Sequence, residues 1–407
     1  MRHRSAVVVS IAVIGALSLS ACGSRGEKKG GDGDKADSSA TTVVIGVDAP
    51  LTGDLSALGL GIRNSVDLAI KKANETNEVP GVKFEIKALD DTGKPAPGQQ
   101  NATQLVGDSK VLGVVGPLNS SVAQSMQQIF DDASLVEVSP ANTGVALSQG
   151  EKWASGEKKR PFNSYFRTAT TDAVQGPFAA QFLYNDAKKT KVFLIDDQKT
   201  YGAGLAGTFK SEFTKLGGTL VGEEHVNPDD RDFAAIVTKV RSSGAEAVYY
   251  GGEYPAAGPL SLQLKEAGVN LPLMGGDGIQ SGDFIKLNPK SQGDYATAVG
   301  LPVESLDTAK KFIADYKTAG YKDAYETYGG YSYDSAWAII QGVKAAKASG
   351  KTLDRKAVRD AVQKVTFAGV TGTVSFDEFG DTTNKQLTVY TVKDGKWAVE
   401  KSGTFKG

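Results

Sequence analysis

Val111-Leu112-Gly113-Val114-Val115-Gly116-Pro117-Leu118-Asn119-Ser120-Ser121 decides the fold. An apolar run of strand length, 111–116, breaks at Gly-Pro and gives way to Asn-Ser-Ser, the signature of a helix start. Residues 120–133 then carry apolar side chains at helical spacing. A strand apolar on both faces that feeds directly into a helix is the unit of a parallel sheet covered on both sides.

The same rhythm extends in both directions. Upstream lie a strand at 43–47, a helix at 61–74 with Ile62, Val66, Ala69 and Ile70 on one stripe, a strand at 84–86 and a helix through 102–106; a strand at 136–138 follows. From Gln175 the alternation starts again: helix 177–185 and strand 192–195, helix 203–216 and strand 219–221, helix 233–242 and strand 247–250, helix 259–266 and strand 273–274. Two long helices, 307–319 and 328–347, are followed by strands at 372–376 and 387–392 and a hairpin at 392–397 that turns on Asp394-Gly395. The expected architecture is α/β, with two doubly wound, Rossmann-like lobes built on parallel sheets.

Composition narrows the function classes. The chain has 407 residues, with 46 Lys+Arg against 47 Asp+Glu, one cysteine (Cys22) and two histidines (His3 and His225). A single cysteine rules out an intrachain disulfide and a dithiol redox centre, and so few histidines leave no basis for a zinc site or a metal cofactor. Balanced charge argues against nucleic acid as a partner, because phosphate binding needs a basic excess. Ser-His catalysis has no evident seat, since His225 is placed beside Asn227-Pro228-Asp229 in a polar loop, and no enzyme activity is expected.

The cysteine has a position that explains it. Arg2, His3 and Arg4 precede an apolar stretch from Ala6 to Leu19, too short to span a bilayer, which ends in Leu19-Ser20-Ala21-Cys22. This resembles the lipobox of bacterial lipoproteins, so residues 1–21 are expected to be a signal peptide and Cys22 the lipidated N-terminus on the extracytoplasmic face of the cell membrane. Residues 22–41, rich in Gly, Lys, Asp and Ser, have the composition of a flexible tether.

Ligands of open α/β sheets bind beyond the carboxyl ends of strands, so the segments that follow strands are the candidates for a site. Asn119 and Ser120 open a helix, where amides and a hydroxyl suit a carboxylate; either could equally be a plain helix cap. Ser139-Pro140-Ala141-Asn142-Thr143-Gly144 offers hydroxyl and backbone groups at the same edge. Following Lys199-Thr200-Tyr201, Gly202, Gly204 and Gly207 match GxGxxG, yet they do not follow the strand directly, and a helix start that aims Tyr201 into a cleft is the stronger reading. Glu253 in Tyr250-Gly251-Gly252-Glu253-Tyr254 and Asp277 in Gly275-Gly276-Asp277-Gly278 place carboxylates at the ends of buried strands. There a carboxylate needs a partner, and a ligand ammonium would serve; the alternatives are a solvated loop charge for Glu253 and a helix cap for Asp277.

These segments, with Leu51-Thr52-Gly53, Asp90-Asp91 and Arg167-Thr168, resemble in order and spacing the type I solute-binding proteins of ABC importers, specifically the leucine/isoleucine/valine-binding group. The resemblance runs from Val43 to Trp397. It implies two lobes joined by three hinge crossovers, near 170–172, 299 and 386–387, so that lobe one is 42–171 plus 299–386 and lobe two is 172–298 plus 387–407. It implies that Ser120 and Thr143 bind an α-carboxylate, that the Ala141 backbone and Asp277 receive the α-ammonium, and that Tyr201 closes over the ligand. It also implies a monomer that captures an amino acid, branched-chain or related, and delivers it to ABC permease subunits; a sensor of the same fold with a membrane signalling partner is the alternative. Two positions depart from the family pattern. Glu253 stands where an aromatic is common, which puts the ligand side chain in question, and Leu58 stands where an aromatic often walls the pocket.

Overall fold

The computed structural model describes residues 40–350 and 352–405. The expected leader, Cys22 and the tether as far as residue 39 lie outside the described residues.

The first run of elements is β1 (Thr41–Ala49), α1 (Ser56–Glu75), β2 (Val82–Asp90), α2 (Pro95–Val106), β3 (Val111–Val115), α3 (Ser120–Asp132), β4 (Val136–Ser139), α4 (Ala146–Gln149) and β5 (Tyr165–Arg167). Its strands pair in the order β2-β1-β3-β4-β5, all parallel. The second run is α5 (Asp172–Gln181), β6 (Lys191–Asp196), α6 (Thr200–Lys215), β7 (Thr219–His225), α7 (Ala234–Ser243), β8 (Ala247–Gly251), α8 (Tyr254–Glu266), β9 (Leu273–Gly275), α9 (Gly282–Leu287) and β10 (Tyr295–Ala298). Its parallel order, β7-β6-β8-β9-β10, repeats that of the first sheet.

The chain then returns to the first lobe with α10 (Lys310–Ala319), α11 (Gly329–Ala348), α12 (Arg355–Val362), β11 (Thr366–Gly369) and β12 (Gly372–Ser375), and α11 packs on α1, β3 and β4. It ends in the second sheet, where β13 (Gln386–Lys393) joins β10 antiparallel and β14 (Lys396–Thr404) completes a hairpin. The protein is therefore an α/β fold of two doubly wound lobes joined by three crossings of the chain.

The continuous apolar runs of the inner strands follow from burial on both faces. In β6, Val192 and Leu194 enter one core with Phe209 and Phe213, while Phe193 and Ile195 enter the other with Val237 and Leu260. Tyr249 of β8 stacks on Phe209 with ring centroids 3.6 Å apart. Gly116 is required where β3 ends: its φ is +126°, and a Cβ there would meet the Asp48 carbonyl oxygen at 2.1 Å.

Several expected boundaries shift. Helices expected from Pro177 and Pro259 begin at Asp172 and Tyr254, so each proline is the sixth residue of its helix rather than the first. β5, β10, β11 and α12 were not expected at all. His225 ends β7 instead of lying in a loop, with Nδ1 2.9 Å from Asp196 Oδ1.

Candidate functional site

In each lobe the strand order reverses direction beside the first strand, which opens a crevice at the carboxyl ends of the strands. The loops after β3 and β4 and the loops after β6, β8 and β9 meet there around one cavity of about 20 Å³. Leu58, Asn119, Ser120, Ala141, Tyr201, Glu253 and Asp277 all line it. Thr143, also expected at the site, is fully buried but is not among the lining residues, and its carbonyl accepts from the Asp172 amide at 2.9 Å. The cavity also brings in Leu118, Gly278 and Tyr328, which sequence reasoning did not single out.

On the first lobe the two loops are sewn together. Ser139 Oγ donates to the Pro117 carbonyl at 2.9 Å and accepts from the Ala141 and Asn142 amides, while Asn142 Nδ2 donates to the Leu118 carbonyl at 2.8 Å. Arg167, wholly buried, donates to the carbonyls of Asn142 (3.1 Å) and Gly144 (2.8 Å) and pairs with Asp381 at 2.6 Å. Neither Asn119 nor Ser120 caps α3 with its side chain. Ser120 Oγ instead accepts from the Gly144 amide at 3.3 Å, and the first amides of α3 remain without an intrahelical partner.

On the second lobe Asp277 is 1% exposed, and among the described residues all its side-chain donors are uncharged. Tyr201 Oη donates at 2.8 Å and Gln175 Nε2 at 3.0 Å to Oδ1, and Tyr328 Oη donates at 2.8 Å to Oδ2. Burial pushes the Asp277 carboxyl above its ordinary pKa, against the opposing pull of these hydrogen bonds. Gln175 is fixed in turn, because its Oε1 accepts from the Asp277 amide and from Thr297 Oγ1. Tyr328 belongs to the start of α11, so its bond to Asp277 joins the lobes.

Glu253 is 7% exposed, which removes the reading of a solvated loop charge. Its Oε1 accepts from Asn119 Nδ2 at 2.6 Å and its Oε2 from Lys199 Nζ at 2.5 Å. Thr200 to Gln124 (2.8 Å) and Arg231 to Asp54 (2.6 Å) add further bonds between lobes. At about 20 Å³ the cavity has room for about one water. A larger ligand therefore enters only when the lobes part.

Burial, with the Asp277 charge second, pushes the pKa of Asp172 to about 7. The folded state then retains a proton that the unfolded chain releases near pH 4, so stability falls as pH rises through that window. We expect the melting temperature to drop between about pH 4 and pH 7, and Asp172→Asn to remove about one proton, roughly 1.4 kcal/mol per pH unit, from the slope. Melts of both proteins across that range check this, and an unchanged slope in the variant would refute it.

With the geometry established, comparison with known proteins adds four findings. A family model described as periplasmic binding protein matches residues 42–396. Leu/Ile/Val-binding protein homolog 3 of Brucella melitensis is 31% identical over 363 residues, which covers 87% of this chain and 92% of that protein. Among solved structures, the branched-chain amino acid transporter substrate-binding protein of Streptococcus pneumoniae in complex with isoleucine superposes with a TM-score of 0.79 at 26% identity, covering 90% of this chain and all of that one. A leucine-binding protein of Thermotoga maritima gives 0.78 at 25% identity, covering 88% of this chain and 98% of that one.

Proposed function

Because this chain belongs to the periplasmic binding protein family, we propose that it captures an α-amino acid between two closing lobes and delivers it to an ABC permease. In this reading Cys22 carries the lipid that holds the protein at the extracytoplasmic face of the membrane, residues 23–40 act as a tether that ends one residue earlier than expected because Thr41 already pairs in β1, and the receptor works as a monomer without catalysis. The lobes are 42–171 plus 299–386 and 172–298 plus 387–407, hinged near 170–172, 299 and 386–387. The α-carboxylate lies on Ser120 and the first amides of α3, with the Thr143 loop behind them; the α-ammonium lies between Asp277 and the Ala141 carbonyl, under Tyr201.

The observation that carries the reading is Asp277, a desolvated carboxylate with only uncharged donors that faces a helix N-terminus across the cavity. A negative group beside helix amides on the opposite lobe suits a ligand bearing both signs of charge. Such a ligand bridges the lobes only when they are closed. Its binding energy is therefore differential between the two states and draws the equilibrium toward closure.

The test is a thermal-shift screen of the proteinogenic amino acids and their amides. At least one should stabilise the protein by an increment that grows as RT ln(1 + [L]/Kd). Absence of any stabilisation, together with flat calorimetric titrations, would refute amino-acid capture.

A further inference from the structure

The ligand's side chain can be read from the wall that the main-chain groups leave over, an argument that rests on the proposed function. With Ser120 and Asp277 assigned to the carboxylate and ammonium, and the Tyr201 and Tyr328 hydroxyls already bonded to Asp277, the polar side chains of the cavity wall that remain are Asn119 and Glu253. Glu253 also borders a second cavity of about 500 Å³ between the lobes, lined by Lys94, Asp197, Lys199 and Tyr250 among others. The Asn119–Glu253–Lys199 chain is thus the partition between the small cavity and a larger chamber.

Two buried acceptors at this partition lack a donor among the described residues. Asn119 is 3% exposed and its Oδ1 accepts no hydrogen bond, while Asp197 is 1% exposed and its Oδ2 accepts none. A buried acceptor without a donor is costly, so both atoms favour a ligand that brings N–H groups. The charges agree: Asp54, Asp229 and Glu253 line the chamber against Lys94 and Lys199, together with Asp197, whose carboxyl burial pushes up to about 7. A carboxylate-ended side chain would be repelled there, and an aliphatic one would leave the acceptors unpaired.

We propose that the ligand is an amino acid whose side chain ends in N–H donors, an amide, ammonium or guanidinium, and that Glu253 with Asn119 selects it by receiving those donors at the partition. Leu58 and Leu118 then flank the aliphatic stem.

Calorimetric titration with L-arginine, L-lysine, L-glutamine, L-leucine and L-isoleucine tests this. One of the first three should bind at least about tenfold tighter than leucine, the discrimination expected from hydrogen bonds to a charged group. Glu253→Leu should reverse the order, lowering affinity for the donor-ended ligand and raising it for leucine, opposite shifts that loss of folding cannot produce. Glu253→Gln separates the arms, because it weakens arginine and lysine while sparing glutamine. Tightest binding of leucine or isoleucine to the unaltered protein, or an order that Glu253→Leu leaves unchanged, would overturn the proposal. No binding of any of the five, where the screen finds none either, would instead overturn amino-acid capture itself.

Discussion

Asp277→Asn is expected to weaken amino-acid binding by about a thousandfold while leaving the unliganded protein as stable as before or more so. The first half follows from removing one member of a desolvated charge pair, a loss of roughly 3–5 kcal/mol in complexes of this kind. The second half follows from the pKa of Asp277, which burial raises, so that ionising it at neutral pH costs the folded state free energy. An asparagine has the same shape and relieves that cost. Tyr328 Oη, which now donates to Oδ2, can rotate its proton and accept from the new amide.

Opposite movement of affinity and stability is the signature that distinguishes a ligand contact from a structural carboxylate. Titration calorimetry and thermal melts on the same variant supply both readings, and an affinity loss below tenfold would remove Asp277 from the ammonium site. The same logic gives a pH dependence. Only ionised Asp277 attracts the ammonium, so acidification through its raised pKa should release the ligand.

The parts of this site that are legible in the sequence are those that follow a strand directly. The apolar runs of β3, β6 and β8 mark their own carboxyl ends, and in a doubly wound fold those ends face the ligand, which points to Asn119, Ser120, Tyr201 and Glu253. Gln175 and Tyr328 escaped because nothing local marks them. They reach Asp277 from 102 and 51 residues away, Gln175 from the start of the second lobe and Tyr328 from the first lobe, neighbours that only tertiary structure brings together. β5 and β10 have three and four residues, too short for a pattern to register against noise.

The helix starts at 172 and 254 were misplaced for a different reason. Proline is favoured in a first turn, yet α5 and α8 each hold it one turn further in, where it removes one helical hydrogen bond and crowds the carbonyl four residues back. α12 did carry a signal: Asp354 accepts from the Ala357 amide as a helix cap, and Asp-Arg-Lys-Ala is a recognisable start.

Arg167→Met is expected to lower unfolding free energy by roughly 3–5 kcal/mol, the cost of orphaning a buried partner. Arg167 and Asp381 are both fully buried, and Arg167 also donates to Ser148 Oγ and to two loop carbonyls. Burial alone would raise the Asp381 pKa, but the Arg167 charge and hydrogen bonds from Gln149 and Ser148 more than offset it and hold the carboxyl below its ordinary range. Without Arg167 that balance is lost and Asp381 titrates upward. The variant's deficit should therefore be largest near neutral pH and shrink in acid, where Asp381 is protonated. Adding Asp381→Asn to Arg167→Met should recover part of the loss, whereas an equal or larger deficit in the double variant would mean that packing, not the orphaned charge, dominates. Arg167→Lys keeps the charge but not the fork that spans Asp381, Asn142 and Gly144, so it should fall between. Urea melts of the three variants give these values. Because those carbonyls flank Thr143 and the Gly144 amide reaches Ser120, ligand affinity should decline in the same order as stability, linking the buried arginine to the carboxylate side of the site.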